Sequence, residues 1–240
     1  MKDYFLYSNN DIFMKYEKVE EITQSDNHVK YHVKDNESGD HYIMSILLSG
    51  DIRIYNALQK IDNINILKII SVTKLDDGEL LVIEEYIENA VTLQEKIDNG
   101  IDEGDFEDYL LQICDALSYL HKMKNPIIYN LITSYHIIID TDNLLKLNDF
   151  YHAEMSDKYN NDVRMLGELI HSSGDKFKRK YHKLIINCLK KQLNISKVRT
   201  EVLSSKRVIG IKYSLFILIF IFLFFIARLV WIIFVKGKLV

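Results

Sequence analysis

The sequence predicts an α+β chain with two lobes: a small antiparallel sheet first, a helical portion second, and one long apolar helix after both. Three observations carry this. Short alternating, β-branched runs fill the first third. After Thr92 the apolar residues recur at helical spacing. Tyr213 to Val235 is apolar apart from Ser214 and Arg228.

Strands are expected at Tyr16–Ile22, Val29–Lys34, Tyr42–Leu47, Ile69–Lys74 and Leu80–Glu85. Asn36–Asp40 (NESGD) has tight-turn residues between the second and third of them. A helix over Ile52–Ile61 interrupts the strands, with Ile54, Leu58 and Ile61 on one face. Phe106–Lys122 repeats Leu110, Ile113, Leu117 and Leu120 at helical spacing, and Asp162–His171 and Tyr181–Gln192 are also amphipathic. The expected organisation is a first lobe at 1–89, a second at 90–205, a basic segment at 206–212, the apolar helix at 213–235 and a short tail at 236–240.

A chain of 240 residues, 48% hydrophobic, can bury two small lobes around a cleft. Its formal charge of −4 supplies no basic field for wrapping nucleic acid. Cys114 and Cys188 lie in apolar runs without metal-ligand or redox spacing, so buried reduced thiols are expected. No apolar leader is expected in MKDYFLYSNN.

A helix of the length of Tyr213–Val235 rises roughly 35 Å, enough to cross a bilayer core of about 30 Å. Arg228 lies near its carboxyl end, where the side chain can snorkel to the interface, and Tyr213 and Trp231 suit interfacial depths. Lys190, Lys191, Lys197, Arg199, Lys206, Arg207 and Lys212 precede the span, while Lys236 and Lys238 follow it. That excess places the amino-terminal part in the cytoplasm, on a single-pass cell-membrane anchor.

The run Ile127–Ala153, IIYNLITSYHIIIDTDNLLKLNDFYHA, resembles the protein-kinase pattern IIHRDLKPxNIxxDxxxxxKLxDFGxA in register. YEKVEEITQSDNHVKYHVKDNESGDHYIMSIL is similar to the first three kinase strands, and LLVIEEYIENAVTL to the strand and hinge that hold an adenine ring. DVRMLGELI and LIINCLKKQLNISKVRTEVL resemble helices of the carboxyl lobe. The chain is thus identified with the serine/threonine protein-kinase-like family, of the compact bacterial type, with a fold of a sheet lobe, a helical lobe and a truncated activation segment.

The resemblance also implies what is missing. Leu131 stands where the catalytic base belongs, with Tyr129 and Asn130 in place of the preceding His and Arg, and His136 replaces the Asn that holds a second metal. The glycine-rich loop has Thr23, Ser25 and His28 at its glycine positions, and the phosphate-binding lysine position is Ser45. Its glutamate partner falls on Ile54, so the ion pair is expected to be lost as a whole. Of the base, the second-metal Asn and the Asp of D-F-G, only the last remains, as Asp149; Phe150 follows it and Tyr151 takes the place of the Gly. Asp149 is the one candidate metal ligand, although a structural role accepting backbone hydrogen bonds is expected of it. The A-P-E motif is absent, and the arginine that would pair with it falls near Ser196. Asp162 keeps the family's scaffold role of holding the catalytic loop.

The expected function is that of a pseudokinase: no catalytic residues, no cofactor, no nucleic-acid partner, and a regulatory or scaffold role for a protein partner at the membrane, an active kinase or a membrane complex. The alternative is a divergent kinase binding Mg·ATP weakly through Asp149 and a non-standard lysine such as Lys30. A decaying copy is a third reading, which intact apolar spacing argues against. The run Lys176–His182 (KFKRKYH) is read as a solvated basic face near anionic lipid.

Overall fold

The computed structural model describes residues 4–7, 11–25, 27–190 and 193–236; within these, side chains of residues 6, 7, 11, 206–217 and 229–236 are not described. Residues 1–199 form one compact unit and 200–240 a second. Two short helices, α1 (Tyr4–Tyr7) and α2 (Asp11–Met14), precede a five-stranded antiparallel sheet. Its strands are β1 (Tyr16–Gln24), β2 (His28–Asp35), β3 (His41–Leu47), β4 (Ile69–Lys74) and β5 (Leu80–Glu85), in the order β1-β2-β3-β5-β4.

The β2–β3 turn forms where its residues predict: Asp35 Oδ1 accepts from the Glu37 and Ser38 amides, and Gly39 supplies a φ of 78°. Helix α3 (Ile52–Leu58) is capped by Asp51 and buries Ile54, Tyr55 and Leu58, stopping short of the expected Ile61. One face of the sheet closes over Tyr31, Val33, Met44, Ile46, Leu81 and Ile83.

The helical portion begins with β6 (Val91–Thr92) and α4 (Leu93–Asp98), the latter entered through a Thr92–Glu95 capping box. Helix α5 (Glu103–His121) buries the predicted Leu110, Ile113, Leu117 and Leu120. Four short strands follow: β7 (Ile127–Ile128), β8 (Ile137–Ile139), β9 (Leu145–Leu147) and, after a 3-10 turn at Phe150–His152, β10 (Glu154–Met155). β10 pairs with β7, while β6, β8 and β9 form a separate sheet. Helices α6 (Asn160–Ser172), α7 (Asp175–Lys180) and α8 (His182–Leu189) complete this part. Gly167 of α6 lets α8 approach closely, since a Cβ there would meet the Cys188 Cβ at 2.7 Å. Cys114 and Cys188 are buried and not joined in a disulfide, as expected.

Helix α9 (Ile195–Lys236) contains the expected apolar span. Among the described residues, no helix is long and apolar enough to cross a membrane. Of Tyr213–Val235, side chains are described only for 218–228, and Leu218 through Ile226 are exposed. The remainder of that span, and Lys206, Arg207 and Lys212, lie outside the residues whose side chains are described.

Candidate functional site

The candidate site is the cleft between the sheet and the segment Tyr129–Tyr151, both within the first unit. Its centre is a buried charge cluster. Lys30 of β2 lies directly across the ladder from Ser45 of β3, so both side chains leave the same face of the sheet. The Lys30 ammonium is ion-paired with Asp149 and lies 3.5 Å from Glu84 Oε2, while Ser45 Oγ donates to the same Glu84 oxygen at 2.9 Å.

The lysine and glutamate expected to be missing are missing at their own positions, and a different buried charge cluster lies beside them. Ser45 and Ile54 carry no charge; the ammonium stands one strand over, on Lys30, and the carboxylate on β5, at Glu84. The role expected of Asp149 is corrected: its carboxylate meets Lys30, and its own amide donates to Asn148 Oδ1 at 2.8 Å. Asp149 has φ 64° and ψ 74°, a left-handed conformation that Asp tolerates better than most residues.

Burial alone would lower the affinity of Lys30 for its proton, but the adjacent Asp149 and Glu84 outweigh it and hold the ammonium above its ordinary range. Burial raises the Glu84 carboxyl, opposed by Lys30 and assisted by the charge of Asp149. One lysine thus serves two carboxylates, and the cluster is held together by Coulomb attraction in a poorly hydrated setting. Tyr55 of α3, buried against the same charges, has its phenol pushed well above its ordinary value by burial and then by Glu84 and Asp149.

In front of this cluster the aromatic ring of Tyr151 stacks on His28, with ring centroids 4.6 Å apart and 26° between planes. His136 meets the same tyrosine edge-on, its Nε2 3.3 Å from the hydroxyl, while its Nδ1 lies 2.7 Å from Thr133 Oγ1. His28 and His136 stand at positions where the kinase resemblance puts a loop glycine and a metal-binding asparagine; here they grip a tyrosine instead. Burial lowers both imidazoles, partly offset by Asp149. Both ring nitrogens of His136 are engaged, and among the described residues no group of three or more His, Cys, Asp or Glu could hold a metal ion.

The segment around Leu131 is rigidly held. Asp162, fully buried at the start of α6, accepts from the amides of Tyr129 at 3.0 Å and Asn130 at 2.8 Å, and lies 2.8 Å from His121 Nε2. This is the scaffold role its position implies. Asn130 is in a left-handed conformation, φ 59°, with its amide nitrogen on the His152 carbonyl and its oxygen accepting from Asn161 Nδ2 at 2.6 Å. Both ends of that side chain are committed. Leu131, at the position of the base, is buried and offers no proton acceptor. The Tyr129 hydroxyl donates to the backbone carbonyls of Asn148 and His136, and its ring packs on Phe150 at 5.0 Å.

Sequence reading missed Glu84 and the Tyr151 stack. Glu84 continues a strand-like run, LLVIEE, and its one signal is that the alternation around it is buried on both faces. The basic run also needs correction. Lys176 donates to the Ile101 carbonyl, and Lys180 pairs with Glu103 at 2.8 Å and Glu107 at 2.7 Å, so part of it is structural.

The arrangement agrees with the comparisons. The model of the protein tyrosine and serine/threonine kinase family matches residues 16–169. Serine/threonine-protein kinase PKH2 of Saccharomyces cerevisiae is 34% identical over 110 residues, which is 45% of this chain and 10% of the length of that much longer protein. With a family match over more than half its length, the chain belongs to the protein tyrosine and serine/threonine kinase family.

Proposed function

We propose that this kinase-family domain does not transfer phosphate and serves as a binding or regulatory module for a protein partner at the cytoplasmic face of a membrane. One observation carries the reading: Leu131 stands at the base position, and the only polar neighbour in the motif, Asn130, has its side chain committed at both ends. Tyr151 adds to it by filling space between His28 and His136 at the level of the charge cluster. The groove beside residues 132–136 and α6, about 880 Å³, with exposed Tyr135 and Leu189 on its lining, offers surface for a protein partner. The apolar run Tyr213–Val235 and its basic flank support the anchor and its orientation.

A second reading, a weak Mg·ATP-binding serine/threonine kinase, is favoured by the Lys30–Asp149 pair. A phosphate-binding site needs a lysine near this aspartate, and Lys30 supplies one from a different strand, although here the two are paired with each other. Thermal shift with Mg·ATP together with radiolabel transfer separates the two. A nucleotide binder at about 100 Kd gains roughly 2.7 kcal/mol. The proposal expects no shift and no label on the chain or on a generic acceptor; transfer that Asp149→Asn abolishes would overturn it.

A further inference from the structure

Helix α7 and the start of α8 divide the basic run by its contacts. Residues 176, 177, 180 and 181 make the contacts with the rest of the lobe. Lys176 holds the Ile101 carbonyl, Phe177 stacks on Phe106 with centroids 3.9 Å apart, Lys180 bridges Glu103 and Glu107, and the Tyr181 hydroxyl donates to Glu107 at 2.8 Å. Lys178 and Arg179 at the end of α7, and His182 and Lys183 at the start of α8, take no part in those contacts. Lys178, Arg179, His182 and Lys183 are all exposed, and no ion pair or side-chain hydrogen bond engages them among the described residues. Asp175, Lys178, Arg179 and His182 line a shallow depression of about 550 Å³. Three full cations therefore face solvent against one carboxylate, on a chain whose formal charge is −4.

We infer that this outer face is a docking surface for anionic lipid, and that the inner lysines serve only to bolt it in place. The inference rests on the membrane-anchor part of the proposed function. Local charge complementarity selects the occupant: a cationic patch on an otherwise acidic chain is drawn to an anionic surface, each lysine or arginine adding to the attraction. A run such as KFKRK looks uniform in sequence. Its contacts separate them: Lys178 and Arg179, with Lys183 beyond the run, are exposed and free to reach headgroups, whereas the ammonium groups of Lys176 and Lys180 are already engaged.

The test uses the full chain reconstituted into phosphatidylcholine discs with and without phosphatidylserine. Alkaline extraction reports the anchor, and amide hydrogen exchange over residues 175–190 reports the docking face. Slower exchange in the phosphatidylserine discs is expected. The difference should vanish at about 1 M salt, where the screening length is about 3 Å, and in the triple variant Lys178→Ala, Arg179→Ala, Lys183→Ala. A merely structural role would change exchange in both lipids alike. Equal exchange in the two lipids, with the chain retained against alkali, overturns the docking face and leaves the anchor standing. A chain released by alkali that still floats with phosphatidylserine vesicles supports the face and removes the anchor; one that neither resists alkali nor floats removes both. Equal protection by inorganic phosphate or by single-stranded RNA in neutral discs overturns the assignment to lipid.

Discussion

Lys30 and Ser45 are direct cross-strand partners, and Lys30 brings to Asp149 from β2 an ammonium where β3 carries only the Ser45 hydroxyl. The substitution at Ser45 therefore relocates a buried charge and leaves a hydroxyl to satisfy Glu84. A lysine and two carboxylates in a poorly hydrated place are held together only as a set, and the first predictions concern that set.

Lys30→Met leaves Glu84 and Asp149 facing one another without a counter-charge. Breaking a buried pair by removing one partner costs about 3–5 kcal/mol, so urea unfolding at neutral pH should show a loss of that order. Lys30→Met combined with Glu84→Gln should recover part of it, because the two residues are coupled. Strict additivity of the two single losses would contradict the cluster.

Glu84 gives a pH signature. Its carboxyl is raised in the folded chain by burial, so between its ordinary value near 4.5 and its folded value the folded state holds a proton that the unfolded state has released. Stability therefore falls as pH rises across that interval. His28 and His136, lowered by burial, act in the opposite sense, losing stability as pH falls below their ordinary 6.5. The difference between wild type and Glu84→Gln isolates the carboxyl: the variant should gain stability relative to wild type as pH rises from 4.5. A difference that does not vary with pH would exclude the assignment.

Tyr151 is expected to act as a plug. Tyr151→Gly removes the ring held by His28 and His136 and should raise affinity for a fluorescent ATP analogue at least about tenfold, while Leu131→Asp alone should leave affinity unchanged. The first figure corresponds to about 1.4 kcal/mol, comparable with the upper range for a stacked aromatic pair. Equal affinities for wild type and Tyr151→Gly would show that the ring obstructs nothing.

Asp162 should be the most sensitive carboxylate outside the cluster. Asp162→Ala orphans the buried amides of Tyr129 and Asn130, each at about 1–3 kcal/mol, so a destabilisation of roughly 2–6 kcal/mol is expected in denaturant unfolding. Asp162→Asn keeps one acceptor oxygen and should cost less. Similar losses for the two variants would mean that the side chain matters for its charge and not for the amides it accepts from.

Much of the fold was legible from periodicity. The strands Ile69–Lys74 and Leu80–Glu85 have the expected bounds, and Tyr42–Leu47 begins one residue earlier, because alternation and β-branching carry local information. Helix ends were less legible: α5 starts at Glu103 because Asp102 caps it, a signal upstream of the first apolar residue of its repeat. The site was legible where chemistry is lost at a single position, as at Leu131, and illegible where it is regained across strands. Lys30, Glu84 and Asp149 are far apart in sequence; the β2–β3 and β3–β5 registers bring Lys30 to Glu84, and the turn after β9 brings Asp149 to Lys30. The stack of Tyr151 on His28 is non-local in the same way.

Between β10 and α6 the chain has just residues 156–159. Ser156 Oγ accepts from the Lys158 amide, and the Tyr159 ring lies over His121 with centroids 5.0 Å apart. So short a bridge leaves no room for the long activation segment that in the family carries a phosphosite and a peptide-docking surface.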